Sequence, residues 1–166
     1  MVPKLSAGLL PYRWRDGELE VFLVHPGGPF WAHKDAGAWS VAKGEYAPQD
    51  DPVATARREF AEEVGIPAPT GDLLPLGQIK QPSGKLITVY AVAADFDVTT
   101  VVSNTFTLEW PRGSGTLQEF PEVDDGRWMS PDEARTALIP GQLGFLQRLN
   151  ERLRPSPTPA DRPDPV

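Results

Sequence analysis

The stretch Gly44 to Ile66, GEYAPQDDPVATARREFAEEVGI, carries the strongest pattern in the chain. Three of its carboxylates, Glu59, Glu62 and Glu63, follow the spacing i, i+3, i+4, which places them on one face of an α-helix. Like charges on one helix face repel each other, and a cation among them removes the repulsion. Because hard divalent cations prefer oxygen ligands, the stretch predicts a helix that presents a metal site.

The same stretch supplies both ends of this helix and a second, apolar face. Asp51 suits the N-cap and Pro52 the first helical position. Gly65 suits the left-handed residue that follows the last turn. Apolar residues at helical spacing predict a stripe that packs on the core: Val53, Ala56, Phe60 and Val64. The helix is therefore predicted to be buried on one side and to present its acids to a cleft on another.

Around this helix the sequence predicts strands and two further helices. The predicted strands cover residues 5–12, 19–24, 39–41, 73–79, 86–93, 98–102, 106–110 and 126–129. A capping box at Ser130 opens one helix, and an amphipathic pattern predicts another over residues 141–153. Because strands, hairpins and helices interleave, we expect an α/β fold with a mixed sheet. One domain is expected over residues 1–154, followed by a Pro-rich flexible tail over residues 155–166.

Composition limits the kinds of site and partner. The chain has 166 residues, no cysteine and two histidines, so thiolate metal sites are excluded, a His-rich zinc site is not expected, and an oxygen-bound Mg²⁺ or Mn²⁺ is expected. The net charge of −7 argues against duplex nucleic acid as a partner, although bridging metal ions still allow polyphosphates to bind. Since no apolar run spans a bilayer and no secretory signal is recognisable, we expect a cytoplasmic protein without a membrane partner. Monomer and homodimer both remain open.

The full pattern of the opening stretch resembles the signature of the Nudix hydrolases, MutT-like enzymes that cleave nucleoside diphosphates linked to another group. It reads Gly44-x5-Asp50-x7-Arg58-Glu59-Phe60-x-Glu62-Glu63-x-Gly65-Ile66. The resemblance covers most of the chain and implies an α/β/α sandwich around a mixed sheet, with divalent-metal-dependent hydrolysis of a diphosphate link. Asp50 stands where glutamate is usual and Ala42 where proline is frequent. Neither departure removes a metal ligand, so we expect an active enzyme.

The resemblance also implies roles for individual residues. Carried onto matching positions, the metal ligands are the carboxylates of Glu59, Glu62 and Glu63, together with the backbone carbonyl of Lys43. Arg58 is expected to orient these acids through a salt bridge. The bound ion then neutralises the diphosphate oxygens and activates a water for in-line attack on phosphorus.

One carboxylate must accept a proton from the attacking water, and its position varies within the family. The resemblance allows a glutamate of the helix, Glu59 or Glu63, or an acid on a later loop. Glu122 is the later-loop candidate, both as base and as metal ligand. It lies six residues before Trp128, a spacing similar to that in dinucleoside polyphosphate hydrolases. Glu119 competes with it, and a plain surface acid is the alternative reading of Glu122.

Four residues are candidates for contacts with a nucleotide substrate. Trp31 and Tyr90 offer rings on which a base can stack, and Lys43 and Arg112 offer positive charge for phosphates. Core packing is the alternative for each ring, and a solvated surface cation is the alternative for each charge. Two further lysines could meet phosphates in the same way: Lys80 and Lys85.

The expected substrate is a nucleotide in which a diphosphate links to another group, with a preference for a dinucleoside polyphosphate or a (d)NTP. Hydrolysis of ADP-ribose or of a nucleotide sugar is an alternative, for which Pro82 is a cue that a turn explains equally well. A Nudix-fold module that binds a nucleotide without cleaving it is another. The intact trio Glu59, Glu62 and Glu63 argues against such a module, because a sensor need not keep all three.

Overall fold

The computed structural model describes residues 2–154, and the predicted tail over residues 155–166 lies outside them. Within this part of the chain the strands are β1 (Leu5–Arg15), β2 (Glu18–Pro26), β3 (Ala42–Tyr46), β4 (Leu73–Lys80), β5 (Leu86–Ala93), β6 (Thr105–Glu109), β7 (Leu117–Pro121) and β8 (Val123–Met129). The helices are α1 (Pro52–Val64), α2 (Pro131–Ala137) and α3 (Leu143–Leu153). No helix among the described residues combines the length and the apolarity needed to cross a membrane.

Six strands form one mixed sheet, as the sequence predicts. Their order is β4-β5-β1-β2-β8, and β3 pairs with the first half of β1. The pairing of β1 with β5 is parallel, whereas β1 is antiparallel to both β2 and β3. In the register between β1 and β3, Gly44 lies opposite Ala7 and Lys43 lies opposite Gly8. This register places the middle of β3 directly beside the helix that carries the three glutamates.

Helices cover both faces of the sheet, which confirms the α/β/α arrangement. Alternate residues of β1 contribute to two separate apolar clusters, because successive side chains of a strand point to opposite faces. Leu9 belongs to the cluster that includes Phe60 of α1, and Leu10 to the cluster that includes Phe145 of α3. All three side chains are almost fully buried.

Helix α1 begins and ends where the sequence predicts. The Asp51 side chain accepts a hydrogen bond from the Val53 N–H at 3.1 Å, and Gly65 ends the helix with a φ of 74°. A Cβ at Gly65 would also overlap the carbonyl oxygen of Val102, so both the backbone conformation and the contact require glycine. The buried stripe contains Thr55, which the apolar pattern missed, while Val53 is only half-buried.

Three predicted elements differ in the structure. Residues 39–41 are not a strand, because Trp39 and Ser40 make only isolated bridges to Leu138 and Val24. The predicted strand at 98–102 is wrong, since Val98–Thr100 is a short 3-10 helix capped by Asp97. The last helix starts at Leu143 instead of residue 141, after a 3-10 turn over Pro140–Gln142.

Strand β7 was absent from the sequence predictions. It pairs with β6 in a separate two-stranded sheet, in which Phe106 lies opposite Phe120. The strand shows no apolar alternation, since four of its five residues are exposed. Its pairing with β6 is therefore visible only in the folded chain.

Candidate active site

The backbone at Gly44 and the side chain of Glu59 lie in direct contact across the junction of β3 and α1. A Cβ built on Gly44 would overlap the Cγ, Cδ and Oε2 atoms of Glu59. Gly44 does not have a positive φ, so the missing side chain serves space and not backbone freedom. The glycine therefore provides the cradle that allows the Glu59 carboxylate to lie against β3.

Glu63 lies one helical turn further along and is held by the same strand. The backbone N–H of Lys43 donates a hydrogen bond to the Glu63 Oε2 at 3.3 Å. Burial, with smaller contributions from the charges of Glu59 and Glu122, raises the pKa of the Glu63 carboxyl to about 8, although the Lys43 ammonium opposes the shift. Burial in turn lowers the pKa of Lys43, with the nearby Lys85 charge as the second cause. Burial thus disfavours the charged forms of both Glu63 and Lys43.

Arg58 lies beside the two outer glutamates of the helix. Its Nη2 is 3.5 Å from the Glu59 Oε1, and its Nε is 3.9 Å from the Glu62 Oε1. Burial and then the Glu62 charge raise the pKa of Glu59, while Arg58 lowers it. Because the Arg58 side chain is 56% exposed, these ion pairs contribute little to the stability of the fold.

A small cleft of about 200 Å³ opens next to these acids. Trp31, Lys43, Glu63 and Glu122 contribute its polar and aromatic lining. Four residues singled out in the sequence, from four separate segments, therefore meet in one place. Apolar side chains from β2, β8 and their neighbours complete the wall: Val24, Val41, Val123 and Ile139.

Glu122 reaches this cleft because the backbone around it is anchored on both sides. Its N–H donates to the Asn104 carbonyl at 2.8 Å, and its carbonyl accepts from the Gly27 N–H at 2.9 Å. Glu119 instead lies within β7, opposite Thr107, on the separate two-stranded sheet. Of the two competing acids, the structure therefore brings Glu122 to the cleft.

Two of the predicted substrate contacts lie away from the cleft. Tyr90 packs against the apolar cluster beneath α1, and burial raises the pKa of its hydroxyl. Arg112 lies in the loop between β6 and β7, with its guanidinium 5.8 Å from the ring centroid of Phe30. Phe30 in turn meets Trp110 edge-on at 5.4 Å. Arg112 is therefore part of an aromatic cluster next to the loop that carries Trp31.

A second, larger cleft of about 800 Å³ lies further along the same strand edge. Its lining includes Lys4, Lys80, Lys85 and Glu45, and the Lys85 Nζ is 3.2 Å from the Glu45 Oε1. This hydrogen bond lowers the pKa of the Glu45 carboxyl. Glu45 follows Lys43 by two residues in β3, so both side chains point to one face of the sheet. The lysine-lined cleft therefore lies on the side of β3 where Lys43 borders the acidic cleft.

The sequence reasoning missed the role of His25 in shaping this region. The ring is buried, with Nδ1 2.7 Å from the Asp124 Oδ1 and Nε2 2.6 Å from the Lys34 carbonyl oxygen. The available signal was the position of His25, the last residue before the Pro26-Gly27-Gly28 turn that leads to Trp31.

The residues of the site fit a divalent cation. Among the described residues, no three His, Asp or Glu side chains already converge as ligands of one ion. Two observations nevertheless support the fit: the cradle at Gly44 admits a carboxylate, and burial together with neighbouring carboxylate charge raises the pKa of Glu59 and of Glu63. All available donors are oxygens, which suit Mg²⁺ or Mn²⁺.

Comparison with known proteins identifies the relatives of this chain. Residues 3–149 match the family model described as NUDIX domain. The NUDIX domain of Shewanella oneidensis NrtR complexed with ADP ribose superposes with a TM-score of 0.63 and 17% identity, over 93% of this chain and 90% of the other. A C. elegans Ap4A hydrolase binary complex superposes with a TM-score of 0.60 and 19% identity, over 89% and 97%.

A further solved structure has the same fold. RenU, a Nudix hydrolase from M. smegmatis, superposes with a TM-score of 0.51 and 23% identity, over 89% of this chain and 84% of the other. No similar protein was found among curated sequences. At these identities the structural matches establish the fold, and the family model establishes the family.

Proposed function

Because this chain belongs to the Nudix family, a family of hydrolases, we propose that it is a divalent-metal-dependent pyrophosphohydrolase that cleaves a diphosphate link in a nucleotide. One observation carries the proposal: the Glu59 carboxylate rests in the Gly44 cradle, beside a cleft into which Glu63 and Glu122 both project. A solvated acidic helix would need neither the glycine nor the second acid. A cytoplasmic location is part of the same proposal.

In this proposal the metal-binding groups come from three segments. Glu59, Glu62 and Glu63 supply carboxylates from α1, Lys43 supplies its backbone carbonyl, and Glu122 adds a carboxylate from across the cleft. A bound Mg²⁺ or Mn²⁺ would offset the phosphate charge and lower the pKa of a bound water. Arg58, at 3.5 Å and 3.9 Å from the two outer acids, orients their carboxylates.

Two carboxylates are positioned to accept the proton of the attacking water. Glu63 and Glu122 both line the cleft, and the charge of Glu122 contributes to the raised pKa of Glu63. Glu63 is the more buried of the two and is fixed by the Lys43 N–H, which suits a metal ligand. Glu122 is exposed and free to approach a water, which suits a base.

The arrangement of charge beyond the cleft supports a substrate with an extended phosphate chain. Lys4, Lys80 and Lys85 line the neighbouring cleft, in a protein whose net charge is −7. Trp31 contributes a ring to the lining of the acidic cleft. A dinucleoside polyphosphate or a nucleoside triphosphate would place its extra phosphates along these lysines, which a simple diphosphate would not reach.

A second ligand class is favoured by one comparison. The superposed NUDIX domain of NrtR is complexed with ADP ribose, and 93% of the present chain shares the fold of that domain. ADP-ribose and nucleotide sugars therefore belong in any substrate panel. Binding of such a ligand without turnover would favour a non-catalytic nucleotide-binding module.

The test is release of phosphate or nucleotide from a panel that contains dinucleoside polyphosphates, nucleoside triphosphates, ADP-ribose and nucleotide sugars, with and without Mg²⁺. We expect Glu63→Gln to abolish turnover of the best substrate, because it removes a buried ligand. Glu151→Gln, on α3, is the matched control and should keep full activity. Unchanged turnover in Glu62→Gln and Glu63→Gln would overturn the mechanism.

A further inference from the structure

His25 lies between two hydrogen-bond acceptors. Its Nδ1 is 2.7 Å from a carboxylate oxygen of Asp124, and its Nε2 is 2.6 Å from the carbonyl oxygen of Lys34. A carbonyl oxygen and an ionised carboxylate only accept hydrogen bonds, whereas a neutral imidazole has a single N–H to donate. The ring satisfies both partners only when it donates from both nitrogens. Because His25 is 7% exposed, water cannot easily replace a lost partner.

Asp124 is the carboxylate partner of the His25 ring, because the other charged groups around the ring pair with other residues. Asp35 accepts a hydrogen bond from the Trp39 indole N–H at 2.7 Å. Asp125 pairs with Arg127 at 2.9 Å, and the Arg127 guanidinium lies 5.1 Å from the Trp39 ring centroid. These neighbours are each engaged with another group.

The two acceptors belong to two separate segments, and each segment supplies a residue that lines the acidic cleft. Lys34 ends the turn that begins at Trp31, since the Lys34 N–H donates to the Trp31 carbonyl at 3.0 Å. Asp124 follows Glu122 by two residues. His25 therefore connects the segment that carries Trp31 to the segment that carries Glu122, through one buried ring.

We propose that His25 is a positioning residue, whose doubly donating ring holds the Trp31 loop and the Glu122 segment at the separation that substrate binding and hydrolysis require. The inference rests on the proposed function in one respect, because it assigns Glu122 a part in the reaction. Its structural half, that the His25 ring donates hydrogen bonds from both nitrogens, does not depend on any enzymatic activity.

The structural half is tested by NMR of protein labelled with ¹⁵N-histidine. The chain has two histidines, and His33→Gln assigns the remaining ring signals to His25. We expect both ring nitrogens of His25 to be protonated at pH 7 and to correlate with slowly exchanging N–H protons. A ring nitrogen of His25 without a proton at pH 7 would overturn the proposal, whatever the activity of the enzyme.

The functional half is tested with variants of both residues that form the hydrogen bond between His25 and Asp124. Asp124→Ala removes the acceptor at a partly exposed position where folding is little at risk, and Asp124→Asn keeps a carbonyl acceptor for the ring. For the best substrate we expect kcat/KM to fall about tenfold to a hundredfold in Asp124→Ala and in His25→Gln. Asp124→Asn should recover most of this loss. His33→Gln, the matched control, should stay within about twofold of the parent.

A double-mutant cycle distinguishes positioning from simple packing. If His25 acts through Glu122, then His25→Gln should cost far less in a Glu122→Gln background than in the parent. Calorimetric affinity for the Mg²⁺-nucleotide complex serves as a second readout where turnover is too slow to measure. Equal costs in both backgrounds, or no recovery in Asp124→Asn, would refute positioning. A protein inactive on every substrate but with a doubly protonated His25 would refute the proposed function alone.

Discussion

Gly44→Ala should disturb the proposed metal site while leaving the stability of the fold almost unchanged. The substitution adds one methyl group to β3, at a position whose backbone accepts alanine without strain. In the native structure that methyl would overlap three atoms of the Glu59 side chain. Ordinary contact begins at 3.4 Å, so the carboxylate has to move by about 1 Å or more.

The expected magnitudes differ sharply between folding and catalysis. Glu59 is flexible and half-buried, so its displacement costs little, and alanine is favoured over glycine within a strand by about 0.5–1 kcal/mol. The free energy of unfolding without metal should therefore change by less than about 1 kcal/mol. A displacement of about 1 Å in a reacting group costs on the order of a hundredfold in rate, so kcat/KM should fall by about that factor.

Three measurements on the same protein samples examine this reasoning. Urea unfolding without metal measures stability, calorimetry measures Mg²⁺ affinity, and steady-state kinetics measures turnover of the best substrate. Gly71→Ala is the matched control, because its added Cβ would meet its nearest neighbour at an ordinary 3.4 Å. Parent-like Mg²⁺ affinity and turnover in Gly44→Ala would refute the role of the cradle. Loss of the folded state in Gly44→Ala would show that the surrounding backbone, and not only the Glu59 side chain, cannot accommodate the added methyl group.

Three further outcomes are expected. Burial raises the pKa of Glu63 to about 8, so without metal the folded state binds more protons than the unfolded state between about pH 4.5 and 8. Urea unfolding should thus show stability falling as pH rises through this window, by a few kcal/mol at most, and Glu63→Gln should remove the slope. Lys85→Gln should raise KM for substrates with three or more phosphates by about tenfold, because one charge-assisted contact is lost, and should leave KM for ADP-ribose unchanged. Equal increases in KM for both substrates would contradict the proposed role of the lysine-lined cleft. Gly65→Ala should lower the unfolding free energy by about 1–3 kcal/mol, because its φ of 74° and the contact with Val102 exclude a side chain.

The local rules of helix formation account for the parts of the fold that the sequence predicts well. The cap at Asp51, the stop at Gly65 and the capping box at Ser130 depend on residues within one turn of each other, and all three are present in the structure. The wrong strand at residues 98–102 has an apolar composition, but the Asp97 cap and the neighbouring chain draw it into a 3-10 turn. Apolar composition alone did not reveal which conformation the surrounding chain would favour.

The same distinction between local rules and contacts with distant parts of the chain applies to the candidate site. Glu59, Glu62 and Glu63 were identified from spacing, because a helix converts spacing into a shared face. The choice between Glu122 and Glu119 depends on the pairing of β6 with β7 and on the bond from Gly27 to the Glu122 carbonyl. The packing of Tyr90 against the apolar cluster beneath α1 likewise depends on contacts between distant segments.

By itself, the sequence determined the helix, its acids, its ends and the restriction of the proposed metal site to oxygen ligands, since each follows from neighbours within a few residues or from composition. Only the tertiary structure decided that Trp31, Lys43, Glu63 and Glu122 share one cleft and that the Glu59 carboxylate lies on Gly44. The physical reason is that a cleft is built from contacts between segments distant in the chain. Such contacts depend on sheet register and on packing across layers, neither of which spacing along one segment encodes.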